Sequence, residues 1–269
     1  MRLGFAVIIG SLLAVGLWEF CRPRRQREFP ALRRRLGNLG IWLLSLVLAA
    51  FIYASPDTFR PQLKAAFELP LPSWPIADPW VSFVAAFLLM DFLNYAVHRC
   101  EHAVPFLWRF HAMHHSDPDV DVTTSVRHHP IEHVMSGGFY WLAILALDIP
   151  VAVVTIHFLA VYVAAAVTHG NIRLPEWLER LLRPVVITLD LHLFHHSISS
   201  EGANANFGAV FSIWDRLFGT YAEISRAQCD RLVFGVRELP RRDGLKPSAM
   251  LLTPWRIARV ARATARGVA

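Results

Sequence analysis

Three histidine clusters of nearly repeating spacing stand out in this chain: His98-Arg-Cys-Glu-His102, His111-Ala-Met-His114-His115 and His192-Leu-Phe-His195-His196. The first sets two imidazoles four residues apart, and the other two share the spacing His-x-x-His-His. On an α-helix, positions i, i+3 and i+4 lie on one face, one above another. Neutral imidazole is the commonest side-chain metal ligand. Eight such ligands exceed what a single four-coordinate ion uses, so the count points to two metal ions. A nitrogen-rich site suits iron, zinc, copper or nickel. A surface tract that binds metal incidentally lacks fixed spacing, and here a long hydrophobic stretch separates the second cluster from the third.

The elements that must position these clusters are membrane helices. Apolar residues make up 54% of the 269 residues, and the mean hydropathy is +0.36, above the norm for soluble domains. Residues 3–20, 39–54 and 80–97 are apolar runs near the ~20 residues that a bilayer crossing needs, the third broken only by Asp91. Residues 134–167 suffice for two more crossings, with Asp148-Ile-Pro150 as a tight turn between them. The reading is an all-α polytopic membrane bundle of four or five crossings with a histidine-rich helical cap. The first run lacks a small-residue cleavage site and reads as an anchor.

Charge supplies the orientation. Arg22, Arg24, Arg25, Arg27, Arg33, Arg34 and Arg35 crowd the first loop, which the positive-inside rule assigns to the cytoplasm. Residues 55–79, proline-rich and poor in basic residues, then form an outer loop. Threading onward returns the chain to the cytoplasm after Val97 and again after Val167, where histidine clusters begin. Three segments follow: anchor helices and basic loop over 1–79, a catalytic domain over 80–235 and a basic tail over 236–269. Residues 254–268 alternate arginine with apolar residues, which fits a helix lying on an anionic membrane surface or a solvated terminus. The net charge of +6 sits beside membrane segments without a nucleic-acid motif, so nucleic acid is excluded as a partner. Cys21, Cys100 and Cys229 are few, odd in number and scattered, which argues for reduced thiols.

Several ordered motifs carry a resemblance. They are Asp91-Phe-Leu-Asn-Tyr95-Ala-Val-His98-Arg99, Leu107-Trp108-Arg109-Phe110-His111, Arg127-x-His129-Pro130-x-Glu132, and Thr168-His169-Gly170-Asn171. After the third cluster come Asn206-Phe207-Gly208 and Trp214-Asp215-Arg216-Leu217-Phe218-Gly219-Thr220-Tyr221. In order and spacing, residues 85–225 resemble the fatty acid hydroxylase/sterol desaturase superfamily of integral-membrane di-iron enzymes. The resemblance implies O2-dependent hydroxylation or desaturation of a membrane lipid such as a fatty acyl chain, sterol or isoprenoid. It also implies two iron ions, which zinc can replace in purified protein. It adds His129 and His169 to the eight cluster histidines as ligands. His128 and His133 have no counterpart and read as solvated or hydrogen-bonded, and His157 as packed against a neighbouring helix. Carboxylates in such a site hold the second ring nitrogen of a ligand histidine and fix its tautomer. Asp91, Glu132 and Asp190 are the candidates, while Asp215 is divided between that task and an exposed salt bridge. Asp91 stands out because a charge inside a membrane run needs a partner.

Two rival readings remain. His98-x-x-Glu101-His102 and His129-Pro-Ile-Glu132-His133 both match the His-x-x-Glu-His pattern of a zinc hydrolase. In a metalloprotease the glutamate is the general base beside one zinc, which leaves the second and third clusters unexplained. Pro130 also disfavours helix at the residue before it. A metal-transport protein would want ligands along a crossing, not at helix ends. No haem-binding segment, Gly-x-Gly-x-x-Gly after a strand or ferredoxin cysteine set is present, so an oxygenase here draws electrons from a separate protein.

Overall fold

The computed structural model describes residues 2–52 and 74–265. Its long helices are α1 (Arg2–Cys21), α2 (Ala31–Ile52), α3 (Pro79–Ala103), α4 (Pro105–His115), α5 (Pro130–Leu147) and α6 (Val151–Thr168). Shorter ones follow: α7 (Glu176–Leu182), α8 (Leu189–His195), α9 (Ile213–Leu217), α10 (Arg226–Cys229), α11 (Pro247–Leu251) and α12 (Thr253–Ala265). Among the described residues there is no strand, only the isolated bridges Val186–Phe211 and Ser197–Phe234. The all-α expectation holds.

Local chemistry sets the helix ends. Asp78 accepts from the Trp80 and Val81 amides at 3.0 and 2.9 Å, and Pro79 opens α3. Proline fits a first helical position because its missing N–H has no partner there anyway. Pro105 and Pro130 open α4 and α5 in the same way. Asp148 takes the left-handed conformation (φ 54°) at the end of α5, so the chain reverses into α6 where the sequence places a turn.

Leu3–Cys21, Pro79–Ala103 and Val151–Thr168 are long and apolar enough to cross a membrane. α1 and α3 both pack on α6, and α2 packs on α5. Leu13, Leu17, Val84, Ile156 and Val163 point outward and stay exposed, as lipid-facing side chains do. Two expected crossings fall outside this set. The first turns of α5 carry Glu132 and His133, and α2 carries Arg33, Arg34 and Arg35 in its first two turns. The end of the 39–54 run and most of the expected outer loop lie outside the described residues.

The loop arginines clamp the cap. Arg34, fully buried, pairs with Asp117 at 2.8 Å and with Asp121. Arg24 pairs with Asp190 and, at 2.8 Å, with Asp230. Glu19, at the end of α1, accepts from the Val122 and Asn171 amides, each at 2.7 Å. Arg127 donates to the Met113 and Gly244 carbonyls, Asn38 Oδ1 and Ser116 Oγ over 2.7–2.9 Å. It thereby ties the second histidine helix to α2 and to the tail. The described part of the tail is packed: α12 lies on α4, and Ile257 joins Ala112, Val236 and Leu239 in a buried cluster. Cys21, Cys100 and Cys229 are all free thiols.

Candidate metal centre

The ligands come from four helix ends. His98 and His102 lie on the last two turns of α3, and His111, His114 and His115 on α4. His169 follows the last residue of α6, α8 carries His192 and His195, and His196 follows its last residue. They converge into two groups whose ligand atoms lie within 4.8 Å of one another. His98, His102, His111, His115 and His195 make the first, and His114, His169, His192 and His196 the second.

Helix periodicity explains the sorting. At about 100° per residue, i+4 lies about 40° to one side of i and i+3 about 60° to the other. In α4 the i, i+4 pair His111/His115 therefore joins the first group and His114 swings to the second. In α8 the assignment reverses: His192/His196 join the second group and His195 crosses to the first. Each His-x-x-His-His motif thus serves both groups.

Hydrogen bonding fixes where the lone pairs point. His98 Nδ1 bonds the Phe207 carbonyl and His195 Nδ1 the Ala205 carbonyl, both at 2.7 Å. A carbonyl only accepts, so both Nδ1 atoms carry the proton, and in the neutral ring both Nε2 atoms are bare. Those two Nε2 atoms face each other at 3.1 Å. His169 Nδ1 likewise bonds the Ala165 carbonyl at 2.8 Å, leaving its Nε2 bare between His192 Nε2 at 3.0 Å and His114 Nε2 at 3.2 Å. His102, His111 and His115 each bury an Nε2 without a hydrogen-bond partner. Facing lone pairs and bare buried nitrogens suit a shared cation, so the donor set fits two nitrogen-ligated metal ions.

Electrostatics favours the neutral, ligating ring. Burial, then neighbouring imidazoles, hold His114, His115, His192 and His196 well below the ordinary histidine value. Burial brings His169 and His195 down to about 3. His111 is the exception: burial pushes it down, but the Glu101 and Glu132 carboxylates outweigh that and raise it.

Among the expected supporting carboxylates, Glu132 touches a ligand: its Oε1 accepts from His111 Nδ1 at 2.9 Å and from His128 Nδ1 at 2.8 Å. Asp91 meets His157 Nε2 at 3.4 Å, Trp214 Nε1 at 2.9 Å and the Phe211 amide at 3.2 Å, none of them a ligand. It has the partners its position demands, and His157 packs against α3 as expected. Asp190 turns to Arg24 and, at 3.5 Å, to Arg226. Asp215 is buried, not exposed, and accepts from the Phe207 and Gly208 amides at 2.8 Å and from Thr220 Oγ at 2.7 Å. It builds the loop whose Phe207 carbonyl orients His98. Gly208 is required there, since a Cβ would sit 2.3 Å from the Phe211 carbonyl oxygen. Backbone carbonyls do much of the work that the sequence reading assigns to carboxylates.

His129 is placed away from both groups, contrary to its expected role as a ligand. Its Nδ1 caps α5 by accepting from the Ile131 amide at 3.1 Å, and its Nε2 bonds the Leu251 carbonyl at 3.2 Å. The proline after it starts a helix, which turns the ring back onto that helix's own free amides. His128 faces the centre instead, stacked on His114 with centroids 4.3 Å apart. A cavity of about 330 Å³, lined by His102, His115 and Trp108 and by Ser199, Asn204 and Arg237 at its polar side, opens onto the first group.

The family model described as fatty acid hydroxylase matches residues 83–220, just over half of the chain and all nine converging histidines. The chain belongs to the fatty acid hydroxylase family. Human alkylglycerol monooxygenase is 29% identical over 204 residues, 73% of this chain and 40% of that protein. The ornithine lipid hydroxylase of Rhizobium tropici is 28% identical over 186 residues, 68% of this chain and 53% of that protein. Methylsterol monooxygenase 1-3 of Arabidopsis thaliana is 29% identical over 163 residues, 56% of this chain and 51% of that protein. The chain therefore spans about half the length, or less, of these relatives. No solved structure matches it. Membership of the fatty acid hydroxylase family, with both His-x-x-His-His clusters in the centre, disfavours the one-zinc hydrolase reading.

Proposed function

We propose that this chain is an O2-dependent lipid hydroxylase built around two iron ions, with desaturation as its close chemical neighbour. His98, His102, His111, His115 and His195 would hold one ion, and His114, His169, His192 and His196 the other. The observation that carries this reading is the bare Nε2 pair of His98 and His195, facing at 3.1 Å with both Nδ1 protons committed to carbonyls. When bound, the two irons supply the redox chemistry with O2 that an unactivated C–H bond needs.

The protein's part is orientation and exclusion. The Phe207, Ala205 and Ala165 carbonyls and Glu132 each fix one ring tautomer, and burial favours the neutral form of the rings other than His111. The cavity beside His102 and His115 would give a bond in the substrate access to the first group. The substrate is a membrane lipid, since the candidate crossings end at the ligand helices and the named relatives act on alkylglycerol, ornithine lipid and methylsterol. Electrons come from a separate protein. The arginine-rich loop supports a cytoplasmic position for the centre.

The test combines metal analysis with lipid conversion. Purified full-length chain is loaded with ferrous iron, given membrane lipid, a reducing partner and isotopically labelled O2, and the products are analysed by mass spectrometry. Two metal ions per chain and a lipid carrying one labelled oxygen are expected. Turnover without O2, or hydrolysis products without label, would sink the reading.

A further inference from the structure

α7 is inside out. Its second carboxylate, Glu179, is buried, accepting from the Asp190 amide at 3.3 Å, while Trp177, Leu181 and, just past its end, Val185 are exposed along one stripe at i, i+4 and i+8. Trp177 and Leu181 are each 66% exposed. A helix in water does the reverse. α9 repeats the pattern beside it: Asp215 is buried while Leu217 is 70% exposed and Phe218 43%. Backbone joins the two elements, because the Ser212 amide donates to the Val185 carbonyl at 2.9 Å and Ser212 Oγ to the Arg183 carbonyl at 2.9 Å.

The second observation is depth. The α9 region is bolted to the middle of α3: Trp214 Nε1 and the Phe211 amide donate to Asp91, and Phe218 packs on Phe92 and Tyr95 at 5.7 and 5.5 Å. α3 has 25 residues, about 37 Å at 1.5 Å per residue, longer than a hydrocarbon core of about 30 Å. Trp80, 80% exposed, marks one end as an interfacial anchor. Asp91 lies eleven residues further on, about 16 Å, and Tyr95 about 22 Å. Both depths fall inside the core.

We propose that the outward face of α7 and the Leu217–Phe218 end of α9 form a shoulder of the histidine cap that sits among lipid acyl chains, in the leaflet on the metal-centre side. The surface continues the lipid-facing side of α3, so bilayer and not a protein partner is its occupant. Arg180, beside the stripe, is neutralised by its pair with Glu176 and has the reach to carry its charge to the headgroups. The shoulder also holds Asp215, and through it the Phe207 carbonyl that orients His98. The inference rests on α3 crossing the bilayer, not on the proposed reaction.

The experiment places single nitroxide labels on the full chain in phospholipid nanodiscs. Cys21, Cys100 and Cys229 are replaced, and Leu181→Cys and Leu217→Cys are compared with Val84→Cys on α3 and Glu238→Cys at the exposed cap. Collision with O2 should exceed collision with a water-soluble nickel chelate at 84, 181 and 217, and the order should reverse at 238. An aqueous Val84 label would fault the crossing of α3 separately. Bromolipid quenching of tryptophan emission, which leaves the cysteines in place, should lose a component in Trp177→Phe. Nickel contact exceeding oxygen contact at both 181 and 217, with quenching unchanged in Trp177→Phe, would overturn the proposal.

Discussion

Glu132→Ala should loosen one metal ion and leave the other. Glu132 Oε1 takes hydrogen bonds from His111 and His128, and Oε2 takes the His129 amide at 3.2 Å. Of these partners only His111 is one of the nine converging histidines, and of the five- and four-histidine groups it belongs to the first. Losing a partner that orients a ligand typically costs ~10–100-fold in metal affinity, or about 1.4–2.7 kcal/mol. That overlaps the ~1.5–3 kcal/mol expected of one hydrogen bond to a charged group. Loss of the contact to the His129 amide costs a further ~1 kcal/mol, but as stability, with no effect on affinity. Glu132→Gln separates the two, because its amide oxygen can still accept from His111 while the charge is gone, and its affinity loss should be the smaller. The assay is chelator competition on the iron- or zinc-loaded chain, with metal content read at each step. One ion per chain should leave at a chelator concentration ~10–100-fold lower than in the parent, and the second should leave as before. Equal loosening of both ions would refute the five-and-four division, and an unchanged first ion would refute the role of Glu132.

His129→Ala should keep two metal ions per chain and lose ~1 kcal/mol of stability, the usual cost of a lost N-cap; elemental analysis giving one ion would restore His129 as a ligand. Glu101→Gln removes a carboxylate 3.5 Å from His111 and should leave most lipid conversion intact, whereas a hydrolase losing its general base would fall by ~10²-fold or more. Arg34→Met leaves Asp117 and Asp121 buried without their fully buried partner and should cost about 3–5 kcal/mol, seen as a lower unfolding temperature; an unchanged one would show the clamp to be idle. Burial raises the Asp121 carboxyl, but Arg34 and Arg35 outweigh it and hold it at about 2 against an ordinary 3.8. Its folded value is the lower one, so its contribution to stability is complete above pH 3.8 and is lost as pH falls through about 2. Acid unfolding of Arg35→Met should therefore begin at higher pH than in the parent.

The histidine spacing made most of the centre readable, because i, i+3 and i+4 on a helix dictate one face whatever surrounds it. It could not say which imidazole joins which group, since that depends on how α4 and α8 are rotated against each other. Glu132 was legible from its place three residues after His129, but its service to His111 was not, being set by the packing of α5 on α4. Asp190 and Asp91 were misread for one reason: a carboxylate near a ligand in sequence goes to the strongest donor within reach, Arg24 for one and Trp214 for the other. Three of the five expected crossings and the Asp148 turn were visible in hydropathy and proline placement. The exposed apolar stripe of α7 was not, because a seven-residue helix shows its polarity only once its neighbours define an inside.

The buried arginines of the first loop have a consequence in time. Arg24 and Arg34 find Asp190, Asp230, Asp117 and Asp121 far downstream, so while the first helices enter the membrane those partners have not been synthesised. During that interval the loop is a bare cluster of positive charge, free to be held back on one side of the bilayer. When the cap later closes, the same guanidinium groups pass from the surface to the interior. Arg22 and Arg33 stay at the surface, but the ion pairs that bury Arg24 and Arg34 act as a latch: inverting the finished molecule would first require pulling Arg34 out of its carboxylates.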